Sequence, residues 1–438
     1  MLDSALETNQ DIPDLKVIPR DEHCISRKNI SDSALKVMSR LRNKGYQAYL
    51  VGGAVRDLLL GGHPKDFDVA TDATPEDVHA LFRNSRIIGR RFRIVHVRFG
   101  REIIEVTTFR GHHTQGGETQ AKQSSSGLLL RDNVYGTLEE DAVRRDLTVN
   151  ALYYDAGSFE VFDHVHGLED LEAQRIAIIG DPEVRFTEDP VRMLRVLRFA
   201  AKLDFTIEDE TREAIPRCAH LLAEIPAARL FDEFLKLFLA GYAAATLEQL
   251  LTHDLLQYLF PETSACLMED DQALALVRAA MGNTDARIAA DKPVTPAFIL
   301  AALLWPTTRL IAEQIEEQGD SPMVAMHSAG QQAIAEAIRH ISIPKRFSQP
   351  MREIWEYQLR LERRQGRRAA ELVEQRRFRA AYDFLLLREQ AGEDTGGLGQ
   401  FWTEFQTLSM EERLKQAGSG GGGGRRRRPR KRRSNRNP

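Results

Sequence analysis

Cysteine is scarce: only Cys24, Cys218 and Cys266 occur in 438 residues. Their scatter excludes a disulfide framework and cysteine-based metal spacing, and it suits a reduced compartment. Long apolar runs are missing too, and none reaches the ~18–20 residues that a membrane span needs. The first stretch, MLDSALETNQDIPDLKVIPRDE, is acidic and lacks the charged-then-apolar order of a secretory signal. A cytoplasmic protein is expected. Positive charge is not in excess either, since 60 basic residues face 64 acidic ones for a net of −4. By itself that argues against a polyanionic partner.

The average conceals a segregation. The last fourteen residues, RRRRPRKRRSNRNP, hold nine of the basic residues and none of the acidic ones. Residues 1–424 therefore carry 51 basic against 64 acidic side chains, a net of −13. A mildly acidic body with a concentrated basic arm asks for an explanation.

The chain is long enough for two or three cores. Residues 1–29 read as a loosely structured lead-in. A helix capped at Ser31 or Asp32 follows, with Leu35, Val37, Met38 and Leu41 as its apolar face. Tyr46–Val51 and Asp66–Ala70 read as strands, separated by Gly52-Gly53 and a short helical turn. Thr74-Pro75-Glu76-Asp77 supplies a cap, a first-turn proline and first-turn acids for another helix. Arg93–Phe99 and Glu102–Phe109 form a hairpin through Gly100-Arg101. Residues 111–127 are polar and glycine-rich and read as a mobile loop. Beyond about residue 168 strand signals nearly vanish, and eight segments from 189 to 388 carry helical periodicity. The expected fold is α+β: a head over 30–165 with a small mixed sheet, a helical neck over 166–240, a helical body over 241–415, and a glycine linker with a disordered basic tail over 416–438. No internal repeat of fixed period interrupts this order.

Chemistry concentrates in the head. On a strand, Asp66 and Asp68 face one side about 7 Å apart, so both carboxylates can meet one cation cluster while Phe67 turns into the core. Hard oxygen ligands of this kind suit Mg²⁺, which usually takes a third carboxylate. An Asp-x-Asp alone equally describes a polar loop entering a strand. Glu105 lies among Ile103, Ile104 and Val106. It is either an outward-facing edge residue or, if its strand lies beside that of Asp66, the natural third ligand. Gly52 and Gly53 let backbone N–H groups approach phosphate, and Arg56 adds a cation. Arg144, Arg145 and Asp146 end a helix, where the bland alternative is a solvated turn. Asp189, Arg192, Arg195 and Arg198 recur every three residues on a helix that Pro190 can start. Such a row can read a base edge, grip a triphosphate, or simply form a salt-bridged surface.

Five stretches, LVGGAVRD, DFD, IIEVTTFR, RRDLTVNAL and EDPVRMLRVLRFA, occur in one order over about residues 48–200. Together they resemble the class II branch of the DNA polymerase β-like nucleotidyltransferases, the bacterial poly(A) polymerases and CCA-adding enzymes. The resemblance implies catalytic metal ligands at Asp66 and Asp68, with Glu105 as the third carboxylate and two Mg²⁺ ions as cofactor. It places Gly52, Gly53 and Arg56 at the triphosphate, Arg144 and Arg145 at ribose and nucleotide, and Asp146 among the active-site acids. Asp189, Arg192, Arg195 and Arg198 become the template for the incoming base.

The head motifs are common to both enzymes. VIPRDEHCISRKNIS, RIIGRRFRIVHVRFG, IPKR, RRQGRR and RRFRAAYDFLLLR look like the poly(A) polymerase branch, as does the basic tail. That branch implies AMP transfer from ATP to RNA 3′ ends, promoting RNA turnover, by a monomer whose protein partners the sequence does not name. Arg425, Arg426, Arg427, Arg428, Arg430, Lys431, Arg432 and Arg433 would then attract RNA phosphates without regard to sequence. Clusters at Arg363–Arg368 and Arg376–Arg379 either continue that RNA path or are solvated helix faces. A CCA-adding enzyme is the nearest alternative. An RNA-binding protein with an inactive head is the alternative of another class.

Overall fold

The computed structural model describes residues 15–89, 93–111, 122–123, 129–131 and 134–419. The chain forms two compact units, one of residues 1–233 and 245–258, the other of 234–244 and 259–438.

The first unit is built on an eight-stranded mixed sheet. In chain order its strands are β1 (Lys16–Ile18), β2 (Ala48–Val51), β3 (Asp68–Thr71), β4 (Ser85–Ile88), β5 (Ile94–Phe99) and β6 (Glu102–Thr108). A separate ribbon, β7 (Lys122–Gln123) and β8 (Leu129–Arg131), precedes β9 (Leu152–Tyr154) and β10 (Val161–Asp163). Across the sheet the order is β1-β10-β9-β2-β3-β6-β5-β4. The lead-in is thus only partly loose: β1 pairs with β10 and two 3₁₀ turns follow it.

Among the helices that accompany these strands are α1 (Asp32–Arg42), α2 (Gly53–Leu59), α3 (Pro75–Leu81), α4 (Leu138–Arg144), α5 (Gly167–Glu172), α6 (Pro182–Glu188) and α7 (Val191–Leu203). Local chemistry sets their ends. Ser31 caps α1, accepting from the Ser33 and Ala34 amides. Thr74 and Asp77 exchange bonds in a capping box at α3, so Asp77 is structural. Asp72 is structural too, accepting the Gln47 amide at 2.8 Å. Thr137 and Glu140 repeat the capping box at α4.

The strand that carries the Asp-x-Asp is shorter than the sequence suggests. It begins at Asp68, leaving Asp66 before the strand and exposed while Phe67 is buried. The cause lies in β2. Its last partner, Val51, pairs with Asp68, and at Gly52 (φ +75°) the chain turns away into α2. On the β2 side nothing remains for Asp66 to pair with, and the positive φ is one that glycine adopts without strain.

The second unit is helical through 261–269, 271–289, 296–317, 322–340, 345–361, 367–372, 378–390, 398–405 and 410–419. Trp402, Phe405, Phe378, Tyr382 and Leu361 lie in one buried cluster, and the Trp402 Nε1 donates to the Leu361 carbonyl at 2.8 Å. Three arginines of its clusters are ion-paired: Arg367 with Glu371, Arg377 with Glu353, and Arg379 with Asp383. Among the described residues no helix is long and apolar enough to cross a membrane.

Candidate active site

A single transverse row of the sheet assembles the acid end of the site. Tyr153 pairs with Val51, Val51 with Asp68, Asp68 with Glu105 and Glu105 with His96. Directly opposed residues share a face, so Asp68 and Glu105 stand side by side on neighbouring parallel strands. The Gly-Gly turn runs beside them, for a Cβ at Gly52 would lie 3.9 Å from the Asp68 Oδ2. At the far end the His96 Nε2 is 3.1 Å from a Glu105 oxygen.

Burial and then the Glu105 charge push the Asp68 carboxyl up to about 6; Arg145 opposes them and Asp66 adds to them. Like charges gathered in this way are relieved by a cation. Among the described residues no group of three His, Cys, Asp or Glu side chains closes around a common point. The donor chemistry nevertheless fits a hard divalent ion: two carboxylates in register, a third within electrostatic reach, and oxygen ligands throughout.

Arg56 behaves differently from a surface cation. It is 1% exposed. Its Nε and Nη2 donate to the Asp57 Oδ1 at 2.8 and 2.6 Å, and its Nη1 donates to the Asn150 Oδ1 at 2.5 Å. An added Cβ at Gly53 would sit 3.3 Å from the Arg56 Nη2. The guanidinium thus braces the turn from behind.

The opposite end is a girdle of arginines around two acids. The Arg192 Nε donates to the Asp146 Oδ1 at 2.8 Å, and Arg195 pairs with the other Asp146 oxygen. Burial alone would raise the Asp146 carboxyl, yet Arg195 and Arg192 hold it well below the usual range. Arg192 is itself buried and also donates to Glu188 and to the Arg185 carbonyl, both at 2.7 Å. Asp189 follows α6 and accepts from Arg229 at 2.6 Å. Arg144 donates to the Gly111 carbonyl. Arg145 lies over the Tyr153 ring and donates to Asp141 and to the Tyr153 hydroxyl.

Asp146, Arg192 and Arg195 are therefore brought together, and Asp68 is joined to Glu105. Arg425 to Arg433 lie outside the described residues, as does most of the 111–127 loop. Several participants escaped the sequence reading. Asp141 sits four residues before Arg145, and Glu188 four before Arg192, spacings that a search of the sequence for i,i+4 ion pairs finds. Arg185 donates to the Arg144 and Arg145 carbonyls at 2.8 and 2.7 Å. Neither it nor Arg229 or Tyr153 has a local signal, because each acts across the fold.

Residues 48–177 match the Poly A polymerase head domain, 204–267 the probable RNA and SrmB- binding site of polymerase A, and 318–437 the polymerase A arginine-rich C-terminus. Poly(A) polymerase I of Salmonella typhimurium is 50% identical over 408 residues, covering 92% of this chain and 88% of the relative. A CCA-adding enzyme of Bacillus pumilus is 39% identical over 226 residues, covering 52% and 54%. The crystal structure of the Bacillus stearothermophilus CCA-adding enzyme in complex with CTP superposes with a TM-score of 0.52 at 26% identity, covering 86% of this chain and 82% of that one.

Proposed function

The chain belongs to the bacterial poly(A) polymerase family, and on that premise we propose how its residues divide the work. It is a polynucleotide adenylyltransferase that adds AMP from ATP to RNA 3′ ends without a template. One observation carries this reading over CCA addition. Half identity to Poly(A) polymerase I extends through 92% of the chain, whereas the similarity to the Bacillus pumilus CCA-adding enzyme covers 52%.

Asp66, Asp68 and Glu105 would hold Mg²⁺. When bound, the ion lowers the pKa of the RNA 3′-hydroxyl and steadies the departing pyrophosphate. The RNA 3′ oxygen attacks the α-phosphorus of ATP in line, and the bond to the β,γ-pyrophosphate breaks. Position and electrostatics supply most of the rate. Gly52 brings backbone close to the Asp68 carboxylate, and Gly53 brings it close to the Arg56 guanidinium, a turn without side chains that suits a phosphate. Arg56, fixed by Asp57 and Asn150, holds that turn from behind. Arg145 presents a cation whose charge already reaches Asp68. Asp146 sets Arg192 and Arg195, which with Asp189 face the base, and Glu188 and Arg229 brace that pair. Arg144 completes the nucleotide side and Arg198 belongs to the same helix face. The basic tail attracts RNA phosphates, and the enzyme works as a monomer in the cytoplasm.

The deciding assay incubates the full chain with Mg²⁺ and either a generic RNA or tRNA lacking its CCA end. Long A tails from ATP alone are expected on the generic RNA. Addition that stops after CCA would instead assign tRNA repair, and no incorporation on either substrate would leave an RNA-binding protein. Removing 425–438 should flatten the salt dependence of RNA affinity, since each phosphate contact contributes about 0.7 to the slope on single strands.

A further inference from the structure

The row of paired residues that carries Asp68 and Glu105 does not end at the acids. Glu105 lies opposite His96 in the β5–β6 ladder, and His96 lies opposite Arg86 in β4. Val95 and Val97 on either side of His96, and Ile104 and Val106 on either side of Glu105, are buried. Alternation along each strand therefore commits His96 and Glu105 to the face that bears Asp68. The His96 Nε2 stands 3.1 Å from the Glu105 Oε1, and among the described residues this is the one hydrogen bond that either side chain makes.

The direction of that bond follows from its partners. An ionised carboxylate only accepts, so the ring donates from Nε2 whatever its own charge. Arg86, the next side chain along the row, is a cation and offers that N–H no acceptor. The bond engages one Glu105 oxygen and leaves the other without a protein donor among the described residues. Glu105 needs such a hold more than Asp68 does. Its side chain has one more rotatable bond and is 46% exposed. A solvated glutamate samples several rotamers, few of which keep its carboxylate beside Asp68. A metal ion gains most from ligands that are already in place when it arrives.

We propose that His96 is a positioning residue for the divalent-ion site, holding the Glu105 carboxylate so that its second oxygen meets the ion shared with Asp68. The inference rests on the reading that gives Mg²⁺ to Asp66, Asp68 and Glu105. The imidazole is a support there and not a ligand, because Mg²⁺ takes oxygen and the His96 Nε2 is already spent on Glu105.

Mn²⁺, titrated into the metal-free full chain without ATP and counted as free ion by electron paramagnetic resonance, tests the proposal. The wild type should bind Mn²⁺ that Mg²⁺ displaces, and Asp68→Asn should lose that binding. His96→Ala should weaken it by about 10- to 100-fold, the usual cost of removing the hydrogen-bond partner of a metal ligand. His96→Gln, which keeps an N–H donor at that place in the row, should restore most of the loss. His96→Phe keeps a ring without a donor and should bind as weakly as His96→Ala, even where its thermal midpoint equals that of the wild type. Unchanged Mn²⁺ affinity in His96→Ala would overturn the proposal. So would recovery in His96→Phe, which would reduce the residue to packing on the hairpin, and so would Mn²⁺ binding that survives Asp68→Asn. Turnover plays no part in these titrations. A wild-type chain that binds Mn²⁺ with this pattern of variants yet adds no AMP would therefore defeat the adenylyl-transfer reading and leave the role of His96 standing.

Discussion

Asp68 and Asp146 are carboxylates of the same unit, a sheet residue and a helix-end residue, and they ionise in opposite senses. Asp68 stands in register with Glu105 and is pushed up to about 6. Asp146 lies between Arg192 and Arg195 and is held low despite its burial. The acid end is short of a cation and the helix end supplies its own. A polymerase site needs both: carboxylates left unneutralised to take up metal, and carboxylates already neutralised to fix the arginines. The difference comes from what each strand or helix has beside it, since the residue type is the same.

The largest expected effect comes from breaking the acid end. Asp66→Ala or Asp68→Ala should reduce AMP incorporation on the order of 10³-fold or more, since metal-centred charge stabilisation is lost. RNA affinity by gel shift should stay within a factor of about two, well under 1 kcal/mol. Incorporation that survives within tenfold would move the metal ligands elsewhere.

Breaking the other end acts first on stability. Asp146→Ala leaves two arginines, one of them buried, without their shared acid, and should destabilise the chain by about 3–5 kcal/mol in urea unfolding. Asp68→Asn should do the reverse in chelator, stabilising by about 2 kcal/mol at pH 8, because it removes a crowded charge. Equal and same-signed changes in the two variants would erase the distinction between the ends.

The pH dependence carries the same signature. Asp68 has a folded pKa above its ordinary 3.8. Its stabilising share is therefore complete below 3.8 and lost as pH rises through about 6, a swing of about 3 kcal/mol. Asp146 is depressed, so its share is present above the ordinary carboxylate range and lost as pH falls. Metal-free protein should thus gain from Asp68 in the window of about 4 to 6 where other carboxylates begin to lose. Subtracting the Asp68→Asn profile from wild type isolates it, and a flat difference across that window would remove the effect.

Much of this was legible in the sequence, and the reason differs between the two ends. The motif order pointed to the head, and the hydrophobic alternation around Glu105 placed a strand there. The pairing of that strand with Asp68 was only a conditional expectation, because register is a tertiary property. The start of β3 was misplaced by two residues because its pairing is cut off at Gly52, which the pattern of Asp66–Ala70 does not express. Strands β1, β4 and β10 were missed, being only three or four residues long. Arg56 was read as a cation for phosphate beside the Gly-Gly turn, and one-dimensional patterning cannot reveal that Asp57, Asn150 and Phe199 surround it. The arginine girdle was visible as a spacing, but Arg229 and Tyr153 reach it from distant segments.

The finest test concerns Arg145, which belongs to both ends. Its charge acts on Asp68, while its Nε and Nη2 are tied to Asp141 and the Tyr153 hydroxyl. Tyr153 also donates to Asp141 at 2.6 Å. Tyr153→Phe removes that donor and keeps the ring under the guanidinium, so the stability loss should be only about 1 kcal/mol. If the hydroxyl also fixes where Arg145 stands, the metal-free Asp68 carboxyl should titrate higher in the variant, by NMR, as the opposing cation gains freedom. An unchanged Asp68 titration would mean that Asp141 alone holds Arg145, and that the acid end is insulated from the hydrogen bonds behind it.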